Sequence, residues 1–300
     1  MKIGIDLGGS HIAIGVIDNN GRIIEKTEKR ITNVEKKNIK KAIEEYIVEH
    51  VKLFMQQYHV TKMGMAIPGW SENGVILSSG NLGIKNYAIV EELQKEIKLP
   101  ITIQNDAKCA AMAENQYGCL KDYDRSIFLT LGTGIGGAAF LNNELLKAGR
   151  RPGYEFGHMV IEKDGIPCHC GRKGCFERYA SMKAFKNNLR SALNLDETTR
   201  GQELLEKIRN NKPENKDYEV IEQVVSTYIE DLSTGILNLV NIFEPEIIGI
   251  GGSFVYFEEV FLSRLRTKLE ESKQDRVGRD NIKIETAILG NDAGMIGAVL

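Results

Sequence analysis

The residues best suited to chemistry lie in one short segment, between positions 155 and 177. Three of the five cysteines fall within eight positions there, and a histidine precedes them by ten residues. Three thiols and one imidazole are the ligand set of a closed tetrahedral zinc site, which leaves no open position for water. Gly171 and Gly174 let the backbone turn tightly enough for the thiolates to converge. We therefore predict a structural Zn²⁺ whose ligands are His158, Cys168, Cys170 and Cys175.

The same residues permit two other interpretations, which are free thiols with a chance third cysteine, or a disulfide. A bridge between Cys168 and Cys170 would be strained because the two residues are so close in sequence, and it would leave an odd cysteine. His169 competes with His158 as the fourth ligand, although its place between two cysteines makes chelation awkward.

Two carboxylates, Glu155 and Glu177, bracket the predicted zinc site. The metal would act as a staple that holds both of them and His158 rigid in a cleft. The second ring nitrogen of a zinc-bound imidazole is free to donate a hydrogen bond. If a substrate hydroxyl accepts it, His158 serves the metal and the substrate together.

Glycine-rich corners follow two predicted strands, and each could bring backbone N–H groups close to an anion. The first is Gly8-Gly9-Ser10, and Asp6 beside it makes sense only with Mg²⁺ or its waters between carboxylate and phosphate. The second is Gly132-Thr133-Gly134, with Gly136 close behind, about 124 positions after the first. Plain tight turns are the alternative. The repeated order of strand, glycine corner, strand and Asn-rich turn favours two phosphate hairpins on duplicated lobes with an ATP cleft between them.

Two further strand ends carry candidate ligands. Gly251 and Gly252 would let a flat adenine and its ribose pack on bare backbone, unless they form a structural turn. Asn105 and Asp106 lie at a strand-to-helix junction, where either is a good N-cap. An aspartate at such a junction can also point into a cleft and accept a proton from a substrate hydroxyl. Taken alone, Asn105 and Asp106 are more simply explained as a helix N-cap. Together with the other motifs, they favour Asp106 as a general base.

Apolar periodicity predicts an α/β protein. Strands are predicted over residues 2–7, 12–17, 22–28, 62–67, 101–103, 125–131, 136–141, 247–250 and 282–287. Helices are predicted over residues 35–58, 88–97, 107–116, 178–190, 218–243, 256–270 and 292–300, the last packing back on the first lobe. Residues 70–87 are rich in Gly, Ser and Asn and are predicted to be a loop. Residues 196–217 are expected to form a solvated helix and loop.

The composition indicates a soluble globular enzyme, with 42% hydrophobic and 27% charged residues. Its 300 residues favour two lobes over one core. A net charge of −2 gives no reason to expect nucleic acid or an anionic membrane as partner. No apolar run approaches the ~20 residues that span a bilayer, and the N-terminus lacks the features of a signal peptide. Cysteines grouped for a metal suit a reducing compartment, and Cys109 and Cys119 are expected in the core, so we expect a cytoplasmic protein.

The motifs occur in an order that resembles one known family, the ROK group of bacterial repressors and sugar kinases. The resemblance covers essentially the whole chain. The zinc motif joined to Glu-x-Gly-His is highly specific, and the glycine corners support it. The motifs are Asp6-Leu-Gly-Gly-Ser10, Pro68-Gly69, Asn105-Asp106, Gly132-Thr-Gly-Ile-Gly-Gly137, Glu155-Phe-Gly-His158 and Cys168-His-Cys-Gly-Arg-Lys-Gly-Cys-Phe-Glu177.

The resemblance implies a two-lobed, actin-like (RNase H-like) ATPase fold with the active site in the interlobe cleft. It implies transfer of the γ-phosphoryl group of ATP to a hexose hydroxyl, usually at C6, and it suggests a homodimer. The first lobe would comprise residues 1–118 and the C-terminal helix 290–300. The second would comprise residues 119–289.

The resemblance also implies a role for each motif, with ATP, Mg²⁺ and a structural Zn²⁺ as cofactors. Asp106 looks like the general base, and its pKa need not be raised because it accepts the proton late. The residues that would bind the sugar are Gly69, Asn105, Asp106, Glu155, His158 and Glu177. Those that would bind the nucleotide are Asp6, Gly8, Gly9, Ser10, His11, Gly132, Thr133, Gly134, Gly136, Gly251 and Gly252.

Departures from the family pattern concern substrate identity. His11 stands where the family usually has Lys or Asn. Residues 148–154 replace a stretch rich in glycine and alanine, and Tyr154 stands where a small residue normally precedes the glutamate.

The leading interpretation is an ATP-dependent hexokinase, nearest to glucokinases. An N-acetylmannosamine kinase or a fructokinase is the alternative within the same class. A repressor of this family would carry a DNA-binding helix-turn-helix before the first phosphate motif, and only five residues precede Asp6. A non-catalytic sugar-binding regulator is less favoured because Asp106 is intact.

Overall fold

The structure is a computed structural model that describes residues 1–147, 154–272 and 282–300. Its strands are β1 (Lys2–Leu7), β2 (His11–Ile17), β3 (Ile23–Arg30), β4 (Lys62–Ile67), β5 (Trp70–Glu72), β6 (Val75–Ser79), β7 (Ile84–Tyr87), β8 (Ile101–Asn105), β9 (Arg125–Leu131), β10 (Ile135–Leu141), β11 (Glu144–Leu145), β12 (Ile247–Gly252) and β13 (Lys283–Thr286). Its α-helices are α1 (Ile39–Gln57), α2 (Ile89–Glu96), α3 (Asp106–Tyr117), α4 (Glu177–Ala180), α5 (Met182–Ala192), α6 (Gly201–Arg209), α7 (Tyr218–Phe243), α8 (Glu258–Glu271) and α9 (Ala293–Gly297).

The described chain divides into two compact units. The first contains Met1–Lys121, Lys147 and Ile288–Leu300, and the second contains Asp122–Leu146 and Tyr154–Ala287. Each unit has its own apolar core around its own five-stranded sheet.

The sheet of the first unit has the strand order β3-β2-β1-β4-β8. β1, β2 and β3 pair antiparallel as consecutive hairpins, while β4 and β8 join β1 in parallel. β1 and β4 are buried along nearly their whole length, as expected for strands covered on both faces. The apolar stripe of α1, including Ile43, Ile47 and Val51, packs into this core.

The sheet of the second unit has the order β11-β10-β9-β12-β13. Here β9, β10 and β11 are the antiparallel hairpins, and β12 and β13 are parallel to β9. The two sheets therefore repeat the same order and the same strand directions. This repeat agrees with the duplication that the two glycine corners indicated.

A small antiparallel sheet occupies the segment that was predicted to be a loop, so that prediction was wrong. Residues 70–87 contain β5, β6 and β7, with β6 in the middle. The turn between β5 and β6 is Asn73-Gly74, and both residues have a positive φ. Asn-Gly between short apolar runs is a strong hairpin signal, and it outweighs the loop-like composition of the segment.

Smaller differences from the predicted elements also have local causes. Residues 35–38 form a 3₁₀ turn before α1. β12 continues through Gly251 and Gly252, because Gly252 still pairs with Leu131 of β9. Cys109 is buried as predicted, whereas Cys119 is only partly buried.

The C-terminal helix α9 packs within the first unit, against β2 and α3. Met295 and Val299 form a small apolar cluster with Ala13 and Ala113. Gly297 allows the close approach, since a Cβ there would lie 1.7 Å from the Cys109 carbonyl oxygen. In the described parts of the chain, none of the helices combines the length and apolar character required to cross a bilayer.

Candidate active site

The first glycine corner, Gly8 to Ser10, joins β1 to β2. It is closed by a hydrogen bond from the Gly8 N–H to the His11 carbonyl, at 2.9 Å. A Cβ on Gly8 would lie 2.9 Å from the His11 ring, and a Cβ on Gly9 would lie 3.0 Å from the Asn81 carbonyl oxygen. Ser10 and His11 are exposed. The corner thus has room for backbone alone, which is the property that a phosphate cradle needs.

Asp6 lies near the end of β1 and is partly buried. Burial, followed by the neighbouring Asp106 carboxylate, raises the pKa of Asp6 to about 7, while Lys26 opposes the rise. Asp292 adds a smaller upward contribution, and Lys26 donates to it at 2.7 Å. Asp6 and Asp106 are therefore close enough to repel one another, which favours a cation or a proton between them.

Asn105 and Asp106 lie where β8 ends and α3 begins, and the structure divides the two predicted roles between them. Asn105 is the N-cap, because its Oδ1 accepts the Lys108 N–H at 3.2 Å. Asn105 Nδ2 donates to the Gly69 carbonyl at 3.2 Å. Asp106 Oδ1 accepts the adjacent Ala107 N–H at 2.8 Å. Burial raises the pKa of Asp106, which was not required by the sequence argument.

A hydroxyl that the sequence argument missed lies beside Gly69. Gly69 has φ 101°, and a Cβ on it would lie 2.3 Å from the Ser78 carbonyl oxygen and 3.0 Å from the Cα of Ser79. Ser79 is 1% exposed, and its Oγ has no hydrogen-bond partner among the described residues. A buried hydroxyl without a partner carries a free-energy cost, so Ser79 is a candidate ligand next to Gly69 and Asn105.

The second glycine corner, Gly132 to Gly134, joins β9 to β10 in the second unit. The Gly132 N–H donates to the Gly134 carbonyl at 3.0 Å, and the Gly132 carbonyl accepts the Lys183 N–H at 3.0 Å. A Cβ on Gly134 would lie 2.5 Å from Glu177 Oε2. The corner and the carboxylate are thus in direct contact, although 43 positions separate Gly134 from Glu177 in the sequence (177 − 134).

Two more of the predicted nucleotide residues lie next to this corner. A Cβ on Gly252, which has φ 73°, would lie 2.6 Å from the Leu131 carbonyl oxygen. A Cβ on Gly251 would lie 2.7 Å from the Phe128 ring. Gly136 pairs with Thr130 inside the hairpin. The structure therefore brings Gly251 and Gly252 to the end of β9, where the corner begins.

The predicted zinc ligands converge. The candidate ligand atoms of His158, Cys168, Cys170 and Cys175 all lie within 4.8 Å of one another. The Cys170 and Cys175 sulfurs are 3.5 Å apart, and the Cys168 sulfur is 3.6 Å from His158 Nδ1. Ligands of a tetrahedral zinc ion at about 2.3 Å lie about 3.8 Å apart, so the residues fit such an ion.

The cysteines are available as ligands, and the pKa shifts of the three clustered thiols are mixed in direction. None of the five cysteines forms a disulfide. Hydrogen bonding from the Arg172 backbone N–H lowers the pKa of Cys170, whereas burial raises the pKa of Cys168 and Cys175. Gly171 and Gly174 have positive φ values of 88° and 75°, as the tight turn required.

Glu177 and Glu155 flank this cluster on different sides of the His158 ring. Glu177 Oε1 is 3.7 Å from His158 Nδ1 and 3.3 Å from the Cys168 sulfur. Glu155 Oε2 is 3.9 Å from His158 Nε2. With Nδ1 facing the thiols, Nε2 is the ring nitrogen left for a substrate hydroxyl. His169 Nδ1 is also 3.3 Å from Glu177 Oε1, but the His169 side chain is 75% exposed.

One departure from the family pattern is explained by packing. The Tyr154 ring stacks on Phe156 at 5.3 Å and meets Phe243 edge-on at 5.8 Å. It fills the space beneath the turn that carries Glu155 and His158. Positions 148–153, the rest of that departure, lie outside the described residues.

Comparison with known proteins identifies the family. A sequence profile of the ROK family matches residues 2–300. The chain belongs to the ROK family. The predicted family and its two-lobed actin-like α/β fold are thereby confirmed, and the relatives described next confirm the predicted class, sugar kinases.

The similar proteins include kinases of two named kinds. A glucokinase of Thermotoga maritima is 30% identical, over 99% of this chain and 95% of its own length. A beta-glucoside kinase of Listeria monocytogenes is 31% identical, over 100% of this chain and 96% of its own length. The crystal structure of a ROK family glucokinase from Streptomyces griseus, in complex with glucose and AMPPNP, matches with a TM-score of 0.79 and 26% identity, over 99% of this chain and 97% of that one.

Proposed function

We propose that the protein phosphorylates the C6 hydroxyl of a hexose, with glucose the first candidate and MgATP the donor. The observation that carries the proposal is the pair Asp106 and Asp6. Asp106 is a partly buried carboxylate at a helix N-terminus, and Asp6 lies near the end of the strand that leads into the first glycine corner. A base next to a site for phosphate and cation is the arrangement that phosphoryl transfer needs.

In this mechanism the C6 hydroxyl oxygen of the sugar attacks the γ-phosphorus of ATP, the bond from that phosphorus to the β,γ-bridging oxygen breaks, and ADP leaves. Asp106 accepts the proton of the hydroxyl. Its raised pKa favours proton acceptance, because the best base has a pKa near the working pH. Asn105 is fixed by its bonds to Lys108 N and Gly69 O, so it orients the base and the sugar from one rigid junction. Ser79 adds a hydroxyl next to Gly69.

The second unit would hold the sugar through Glu155, Glu177 and His158. Two carboxylates accept hydrogen bonds from adjacent sugar hydroxyls, and His158 Nε2 donates one. The contact of Gly134 with Glu177 ties this sugar site to a phosphate corner, which favours bound sugar and nucleotide as neighbours. Gly251 and Gly252 would take the nucleoside.

Two metal ions complete the proposal. Asp6 would face the Mg²⁺ that accompanies the phosphates, with waters between, and this ion would neutralise charge on the transferring group. A Zn²⁺ held by His158, Cys168, Cys170 and Cys175 would be structural. It would fix the orientation of the His158 ring.

The test is a coupled ADP-release assay on the purified protein and on Asp106→Asn. The panel is glucose, mannose, fructose, N-acetylmannosamine, N-acetylglucosamine and a β-glucoside, the last because a similar protein is a beta-glucoside kinase. We expect turnover with at least one sugar, and a loss of about 10²-fold or more in kcat for Asp106→Asn. Thermal unfolding of this variant should occur at no lower temperature than that of the wild type, because the substitution removes a carboxylate whose pKa is raised. Turnover of the variant within threefold of the wild type would remove Asp106 as the base. The predicted homodimer and cytoplasmic location stay predictions.

A further inference from the structure

We propose that Glu114 is a positioning residue for the kinase reaction, because its carboxylate fixes the backbone at two places where the chain passes between its two units. The inference rests on the proposed function, in which Asp106 is the general base of the kinase reaction.

Glu114 is a fully buried acidic residue near the end of α3, at 0% exposure. Its carboxylate is shared between two backbone donors that are far apart in sequence. Oε2 accepts the N–H of Cys119 at 2.9 Å, and Oε1 accepts the N–H of Leu289 at 2.8 Å. The Glu114 main-chain carbonyl also accepts the N–H groups of Gly118 and Leu120.

The two donors lie at two of the places where the chain passes between the units. The chain leaves the first unit after Lys121 and makes its last return to it at Ile288, while Lys147 also belongs to the first unit. Cys119 is two residues before the first of these passages, and Leu289 is one residue after the last. Glu114 therefore binds these two connecting segments, on their first-unit side, through one side chain.

A buried carboxylate is costly unless its charge is satisfied, so its presence needs a specific reason. Hydrogen bonds from N–H groups to a carboxylate are stronger than those between neutral groups. An apolar side chain would fill the same volume in this core but would leave the N–H groups of Cys119 and Leu289 without an acceptor. The carboxyl group at Glu114 is thus explained by its hydrogen bonds to these two segments.

The neighbouring glycine is matched to this carboxylate. A Cβ on Gly118 would lie 1.8 Å from Glu114 Oε2, so only glycine leaves space for the carboxylate to reach Cys119. The requirement is steric, since the φ of Gly118 is −116°, which other residues adopt freely.

The same helix carries the proposed base. Asp106 is the first residue of α3, and Glu114 lies eight positions further along this 12-residue helix. One rigid element therefore presents the base at its N-terminus and holds both connecting segments near its C-terminus. A displacement of about 1 Å at a reacting group can cost about 10²-fold in rate. Loss of the Glu114 hydrogen bonds should therefore lower kcat by displacing Asp106.

The experiment compares Glu114→Gln, Gly118→Ala and a control, Glu35→Gln. An amide can accept only one of the two N–H groups, and Gly118→Ala displaces the carboxylate while keeping its charge. Glu35 is matched because it also accepts a backbone N–H in the first unit, that of Thr32 at 2.7 Å, remote in sequence from the connections. Steady-state kinetics and amide hydrogen exchange are measured on each full-length protein, at a temperature where all are folded.

For Glu114→Gln and Gly118→Ala we expect faster exchange at the amides of Cys119 and Leu289. We also expect kcat to fall about tenfold or more, with hexose and ATP KM values changing less than about threefold, because the groups that contact the ligands are intact. Glu35→Gln should keep kcat within twofold. If Glu114→Gln does not fold, Gly118→Ala carries the test.

Two results would overturn the inference. Faster exchange at these amides with kcat equal to that of Glu35→Gln would make Glu114 a packing residue only. Unchanged exchange would show that its hydrogen bonds do not hold the connections. A wild-type protein without kinase activity would instead remove the proposed function, and the exchange result would still report whether Glu114 holds both segments.

Discussion

At the scale of single residues, the first unit is governed by a pair of carboxylates, Asp6 and Asp106. Neither carboxylate has an ion-pair partner among the described residues, and Lys26 acts on Asp6 only as a more distant charge. The chain thus maintains a site that is short of positive charge. In the proposed mechanism Mg²⁺ and a transferred proton supply that charge, so the electrostatic cost in the free protein becomes binding energy for MgATP.

This cost predicts a pH dependence of stability. The pKa of Asp6 is raised from 3.8 to about 7 on folding, so the folded state binds the proton more tightly. Its contribution to stability is complete below pH 3.8 and is lost as the pH rises through 7. Between pH 5 and pH 8 the free energy of unfolding of the wild type should therefore fall by about 3 kcal/mol relative to that of Asp6→Asn. This figure corresponds to about two pKa units. Urea unfolding without magnesium or nucleotide measures both proteins.

The control for this measurement is Glu45→Gln, since the Glu45 side chain is 67% exposed. Its stability should follow that of the wild type at both pH values. A gap between wild type and Asp6→Asn that stays constant from pH 5 to pH 8 would contradict the assigned shift. Saturating MgATP should close the gap, because a cation beside Asp6 favours the charged form.

At the scale of elements, the glycine corner between β9 and β10 links a proposed phosphate site to a proposed sugar ligand, Glu177. Gly132 and Gly134 are two positions apart but meet different surroundings. A Cβ on Gly134 would strike Glu177, whereas a Cβ on Gly132 would meet nothing within 4 Å. The same substitution at the two positions therefore separates two roles of one hairpin.

We predict that Gly134→Ala raises the hexose KM by about tenfold or more, because Glu177 must move from the position where it would accept sugar hydrogen bonds. Gly132→Ala should leave the hexose KM within twofold and raise the ATP KM, since a methyl group there crowds only the proposed phosphate. Steady-state kinetics with each substrate varied in turn checks both. If Gly134→Ala and Gly132→Ala changed the hexose KM equally, Glu177 would not be a sugar ligand.

The elements also show why some of the site could be predicted and some could not. α7 has the predicted bounds, Tyr218–Phe243, because apolar residues recur at three and four positions until Pro245 follows. The hairpin at Asn73-Gly74 had a local signal that composition obscured. Glu114 had no such signal, since its partners are 5 and 175 positions away. Ser79 becomes a candidate only when burial and the lack of a partner are known.

At the scale of the whole molecule, the duplication and the proposed zinc site have different consequences. Both units repeat one strand order, and this repetition could be inferred from two glycine corners spaced alike. The cysteine segment belongs to the second unit alone. There Phe176, next to the last cysteine, is fully buried against Gly235 of α7, where a Cβ would lie 2.2 Å from its ring. The cluster therefore anchors the segment that carries Glu177 to the core of one unit only.

We predict that loss of zinc destabilises the second unit selectively. Cys175→Ser should lose the metal and show faster hydrogen exchange in the segment 156–180 and in α7, while β1, β4 and α3 exchange as in the wild type. The melting temperature should fall by several degrees, at about 2–4 °C per kcal/mol for a unit of this size. The hexose KM should rise more than the ATP KM, because His158 and Glu177 lose their support.

Cys119→Ser, outside the cluster, should retain one zinc ion and normal kinetics. Two results would contradict a structural zinc site that stabilises only the second unit. One is a Cys175→Ser protein that still binds one zinc ion, and the other is hydrogen exchange that is equally faster in both units.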